Sequence, residues 1–186
     1  MPGRVRSAPL RVIVVFLVVG MLFTLGGLVG GWLWERYWTP ITGVAFRQQF
    51  VLIGQAPARD FSATSSYLVL AVLLGLTLGL AAALLVRGRE WATLAAVVAF
   101  SALAAWLMST VGHRLGPADP VAAAAAAEDF TRIPQDLRVS GLSPFLALPF
   151  GSILGLAGGF VLLTLFPRLR SEQAIDLDRL SADTTH

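Results

Sequence analysis

The chain has no cysteine and no lysine, and only two histidines, His113 and His186. Without cysteine there are no disulfides, no thiolate metal sites and no cysteine nucleophile. Two distant histidines do not make a histidine metal cluster. All 14 basic residues are therefore arginine. Beside so much Ala, Gly, Val and Leu, this reads as the codon bias of a GC-rich genome. The alternative is arginine kept for lipid phosphates. The phosphate-binding patterns G-x-x-x-x-G-K-[ST] and G-x-G-x-x-G are missing, as are H-E-x-x-H and G-x-S-x-G. The sequence pI of about 10.5 does not point to nucleic acid, because the arginines form no basic face and no stacking aromatics accompany them.

Charge is also missing from four long stretches, and there the chain declares itself. Leu10–Trp34, Tyr67–Val86, Trp91–Gly112 and Pro144–Phe166 are almost wholly apolar, with Arg11 at the edge of the first their only ionised side chain. About 20 apolar residues, at 1.5 Å rise each, cross a hydrocarbon core of roughly 30 Å. The expected fold is an all-α, four-helix transmembrane bundle, a single membrane domain over residues 1–186. Outer loops cover residues 35–66 and 113–143, and an inner tail covers 167–186. With 186 residues and 56% hydrophobic composition, little chain remains for a soluble catalytic domain.

The arginines set the threading. Arg4, Arg6, Arg11, Arg87, Arg89, Arg168, Arg170 and Arg179 flank the spans on one side. The two long loops hold the other six. Short loops and helix ends weigh most in the positive-inside rule, so Arg87-Gly88-Arg89 decides, and both termini are placed in the cytoplasm of a plasma-membrane protein. Trp32, Trp34, Tyr37, Trp38 and Tyr67 at the outer ends, and Trp91 at the inner end, read as interfacial aromatics. Span one reads as an uncleaved anchor rather than a signal peptide, since it is long and bulky Glu35-Arg36-Tyr37-Trp38 follows it. The short inner turn makes spans two and three an antiparallel hairpin.

Small residues spaced by four let membrane helices approach closely. Such seams are Gly26/Gly30 and Gly27/Gly31 on span one, Gly75/Gly79 on span two and Gly151/Gly155/Gly159 on span four. Ala92/Ala96 and Ala95/Ala99 play this part on span three. They serve packing inside the bundle or dimerisation with a second copy or another membrane protein. Pro149 is expected to kink span four near its outer end, while Pro144 suits a first turn. The scattered hydroxyls, among them Thr77, Ser152 and Thr164, need only bond their own helix. Ser101, Ser109 and Thr110, followed by His113, make the most polar stretch, a candidate solute path.

In the loops, Val44–Ile53 reads as a small hairpin turning near Gln48–Gln49, with a helical or re-entrant segment as competitor. Asp119-Pro120 before six alanines reads as an N-cap, a first-turn proline and a short helix. Leu137-Arg138-Val139-Ser140 is a candidate strand pairing with loop one. Glu128-Asp129 are neighbours that point apart on a helix and do not form a catalytic pair. In the tail, Ile175, Leu177 and Leu180 make one amphipathic turn at most.

The order of features also carries a resemblance. Span one leaves through Gly31-Trp32-Leu33-Trp34 toward Thr39-Pro40, and Asp60-Phe61 precedes a glycine-rich span two. Span three leaves through Val111-Gly112-His113-Arg114-Leu115-Gly116-Pro117, and Asp136-Leu137-Arg138-Val139 then Pro149 follow. Over residues 20–165 this resembles small four-span membrane proteins of actinobacteria grouped as domains of unknown function. In those, alanine precedes the exit proline where this chain has Thr39. The resemblance implies topology and habitat, and no activity. The expected function is a non-enzymatic accessory, assembly or structural component of the cell envelope, with the lipid bilayer as its partner and no cofactor, no metal and no nucleic acid. The alternatives are a small-solute transporter or channel subunit and an envelope sensor acting through the outer loops.

Overall fold

The computed structural model describes residues 7–52, 62–86 and 90–165. The Arg87-Gly88-Arg89 turn, the Asp60-Phe61 pair and the tail from Pro167 lie outside them. Helix α1 is Ser7–Tyr37, α2 is Ser62–Leu85, α3 is Glu90–Leu115 and α5 is Ala147–Leu165, with a short α4 at Pro120–Ala126. Among the described residues, four helices are long and apolar enough to cross a membrane. A three-stranded sheet completes the fold: β1 (Thr42–Phe46), β2 (Gln49–Val51) and β3 (Arg132–Pro134), in the order β2-β1-β3.

The helices are apolar on all sides, so side-chain size separates inside from outside. Val15, Val19, Phe23, Gly27, Gly30 and Trp34 form a buried stripe of α1, at helical spacings of three and four, and buried Trp38 follows just past the helix end. The interior of α2, α3 and α5 is mostly Ala, Gly and Ser. Leu17, Met21, Leu73, Trp106 and Leu165 point outward.

Spans two and three are consecutive, yet they are not each other's main partner. Helix α1 packs chiefly on α3, and α2 chiefly on α5. Both pairs are parallel, because the close approaches climb together. A Cβ built at Gly27 would sit 2.7 Å from Ala104 O, and one at Gly31 the same distance from Met108 O. Each chain segment therefore leaves its neighbour in sequence and clasps the next span but one.

The α2/α5 contact is reciprocal. Gly75 abuts the carbonyl of Leu148 while Gly151 abuts that of Val72; Gly79 abuts Ser152 O while Gly155 abuts Leu76 O. Gly75 and Gly151 stand 76 residues apart, as do Gly79 and Gly155. The surrounding residues repeat too: Leu70-Ala71, Gly75 and Leu78-Gly79-Leu80-Ala81 match Leu146-Ala147, Gly151 and Leu154-Gly155-Leu156-Ala157. Two copies of one apolar pattern thus face each other, each glycine admitting the other helix's backbone.

Pro149 falls in the first turn of its helix rather than inside it. Ser143–Leu146 is a 3-10 turn, and the α-helix begins at Ala147. Pro149 is its third residue, where an amide has no helical partner to lose.

The cap is built on β1. Its hairpin turns at Arg47–Gln48, one residue earlier than the sequence suggests, with φ of 50° and 61°. Two left-handed residues are what a two-residue hairpin of type I′ requires, because its twist matches that of the strands. The second partner of β1 is Arg132–Pro134, with Gly43 opposite Ile133, rather than Leu137–Ser140. Pro134 is tolerated because β3 is an edge strand. Leu137 is instead buried, and its carbonyl meets His113 Nδ1 at 3.0 Å. Ser140 N–H donates to Thr64 Oγ1 at 3.1 Å. These bonds tie the segment down onto α3 and α2. Asp119 caps α4, its carboxylate accepting from Val121 N–H. Helix α4 closes the cap by packing Ala124 on Ala45 and Ile133.

Candidate functional site

At the cap end of the bundle four elements meet around two aromatic rings. Trp34 on α1 and Tyr67 on α2 are both fully enclosed, edge to face, with centroids 5.1 Å apart. The Trp34 indole N–H is shared between Ala63 O at 3.2 Å and Ser66 Oγ at 3.1 Å. Tyr67 O–H donates to Ala105 O on α3 at 3.0 Å. Phe145 of the 3-10 turn also packs on Tyr67, with ring centroids 5.9 Å apart. Every polar tip of these rings is satisfied, as burial demands.

This corrects the interfacial reading of the aromatics. Trp32 and Tyr37 face outward, and so does Trp91 at the far end of α3, but Trp34, Trp38 and Tyr67 belong to the core. The signal was present in the sequence. Trp34 and Trp38 continue the stripe that begins at Val15, whereas Trp32 falls off it.

Beside Trp34, an open hollow of about 420 Å³ lies between α1 and α2, lined by Trp34, Tyr37, Ser65, Ser66, Val69, Leu70 and Leu73. A second, of about 360 Å³, runs between α2 and α5 past Thr77, Leu154, Gly155 and Gly158.

The glycines singled out in the sequence all stand at helix contacts, in two kinds. Gly75, Gly79, Gly151 and Gly155 meet backbone across the α2/α5 seam, and Gly159 meets Ala83 there. Gly26 and Gly30 receive the side chains of Leu78 and Leu74 from α2. The backbone seam of α1 is the neighbouring pair, Gly27 and Gly31.

Ser101, Ser109, Thr110 and His113 do not share a face. At about 100° per residue, Ser101 and Thr110 stand on opposite sides of α3. Ser101 is buried and donates to Val98 O at 3.1 Å. Thr110 donates to Trp106 O at 2.8 Å, and His113 reaches into the cap. The hydroxyls of Thr77, Ser152 and Thr164 likewise turn to carbonyls of their own helices.

Among the described residues, no three His, Asp or Glu side chains gather as metal ligands would. The geometry defines a helical bundle of membrane-spanning length under a small sheet cap. No known protein family, curated protein or solved structure matches the chain.

Proposed function

We propose that the chain is a multi-pass plasma-membrane protein, with both termini cytoplasmic and the cap outside. In this reading it acts as a non-catalytic accessory or assembly component of the cell envelope. The observation that carries the reading is the way the bundle closes. Its helices meet backbone to backbone at Gly27, Gly31, Gly75, Gly79, Gly151 and Gly155, and its buried hydroxyls at Ser101 and Ser152 are spent on their own helices. A body packed in this way holds its shape under a cap and offers surfaces. A solute carrier instead needs convergent polar groups along its interior. The orientation rests on Arg87 and Arg89 in the shortest turn between spans.

The test is isolation of the tagged full chain from its native membrane in mild detergent, with its companions identified by mass spectrometry. A stoichiometric membrane-protein partner is the expected result. A companion-free protein that moves solutes when reconstituted into vesicles overturns the reading in favour of a transporter.

A further inference from the structure

Helix α2 carries a ridge of large side chains at steps of four, Leu70, Leu74 and Leu78, continued by Ala82. Residues four apart share one side of a helix. Helix α1 covers this ridge. A Cβ built at Gly26 would strike the end of Leu78, and one at Gly30 the end of Leu74. Each leucine thus fills a notch that a glycine leaves, and Leu70 lies with Trp34 along the hollow between the two helices. The contacts climb on α1 as they descend on α2, so the two helices run antiparallel.

The repeat places the same ridge on α5. Shifted by 76 residues, its positions are Leu146, Phe150, Leu154 and Gly158. There it is uncovered. Leu146, Phe150 and Leu154 are 67%, 61% and 47% exposed, against 8% for Leu78, and a Cβ at Gly158 would meet nothing within 4 Å. The α2/α5 contact is reciprocal, so a local two-fold relates these helices. That two-fold carries the place of α1 to the open side of α5. The covered ridge therefore shows what fits the open one: an antiparallel helix with two small residues four apart.

A second copy of this chain does not offer such a helix. The notches of α1 are filled by its own α2. The outward alanines of α3, Ala95 and Ala99, run in the right direction but sit too deep. Gly27 meets Ala104, which sets Ala99 level with Gly158 and Ala95 below it. Two copies related by an axis across the membrane keep their depth, so these alanines miss Phe150 and Leu154.

We infer that Phe150 and Leu154 dock a transmembrane helix of a partner protein, one that runs as α1 does and carries glycine or alanine at two positions four apart. The inference rests on the accessory reading and names the face that the partner uses. The full-length protein, with benzoylphenylalanine in place of Phe150, is irradiated in its native membrane and the adduct mapped by mass spectrometry. An adduct within a partner span that holds two such small residues is expected. The same probe in place of Leu17, which is 66% exposed on α1, is expected to give none. Leu154→Ala removes one knob, and copurified partner is expected to fall about tenfold, the ratio that about 1.4 kcal/mol of lost contact gives. Leu17→Ala is expected to leave it unchanged. Lipid adducts alone at position 150 overturn the inference, and so does an adduct to a second copy of this chain or to a span without the small pair. A partner held undiminished by Leu154→Ala overturns it too, but leaves the accessory reading standing, with the partner on another face. A wild-type chain that brings no companion and moves solutes fails both.

Discussion

Gly112 lies against the indole of Trp34 so closely that any Cβ at position 112 would enter the ring. The same indole N–H holds Ala63 O and Ser66 Oγ across the bundle. Gly112→Ala therefore moves Trp34 and strains both bonds. Overpacking of this kind costs about 1–3 kcal/mol. For a chain of this length each kcal/mol lowers the melting temperature by about 2–4 °C. Thermal unfolding in detergent, followed by tryptophan fluorescence, checks it. An unchanged transition would mean that Trp34 can turn aside, and that the node is looser than its packing indicates.

The glycines separate into costly and free positions. Gly79 faces the carbonyl of Ser152, a backbone atom that cannot swing away, whereas nothing lies within 4 Å of a Cβ at Gly158. Gly79→Ala is expected to destabilise by about 1–3 kcal/mol. Gly158→Ala, in the same apolar sequence context, is expected to be neutral or to stabilise by about 0.4–1 kcal/mol through the unfolded chain. Gly26→Ala falls between them, since its obstacle is the end of the Leu78 side chain. Equal losses at positions 79 and 158 would mean that glycine matters there for a reason other than the α2/α5 contact.

The four long helices were legible because unbroken apolar runs have few other solutions, and Asp119-Pro120 marked α4 for the same local reasons that form it. Partner choice was not legible from run length. Every span is apolar all round, and only the size of residues such as Gly27, Ala104, Gly75 and Gly151 records which face meets which. The repeat of Leu78-Gly79-Leu80-Ala81 at Leu154-Gly155-Leu156-Ala157 was the missed clue to the α2/α5 pairing. Leu137–Ser140 was misread as a strand because alternation alone does not reveal that its polar groups are already taken by His113 and Thr64. The hollow beside Trp34 left no trace in the sequence, since it is lined by residues of α1 and α2 that only the fold brings together.

The hairpin tip holds two side chains in a backbone region that favours glycine, Arg47 and Gln48. A left-handed conformation costs an ordinary residue about 1–2 kcal/mol, and glycine returns part of this as chain entropy. Gln48→Gly is expected to stabilise the cap, by up to about 1 kcal/mol. Arg47 N–H donates to Asp129 Oδ1 at 2.8 Å, which pins the tip to the turn before β3. Asp129→Ala is expected to loosen it by about 0.5–1.5 kcal/mol. Amide exchange across β1 and β2 reads both: slower for the first variant, faster for the second. The same exchange rates in both variants would place the stability of the cap in the Ala45–Ala124–Ile133 cluster alone.

Threading is decided by two positions at opposite ends of the molecule. Ala125 is exposed on α4 in the cap, and Trp91 is 85% exposed at the start of α3. The 26 residues of α3 lie between these ends, and at 1.5 Å per residue that is about 39 Å, enough to cross a bilayer. The chain has no cysteine of its own, so a single introduced thiol reports without background. With the cap outside, Ala125→Cys reacts with an impermeant maleimide on intact cells, and Trp91→Cys reacts only after the membrane is opened. The reverse pattern would turn the protein over, and Arg87 and Arg89 would then oppose the positive-inside rule rather than obey it. Equal labelling of both thiols on intact cells would put both ends of α3 on one side, which a spanning helix cannot satisfy.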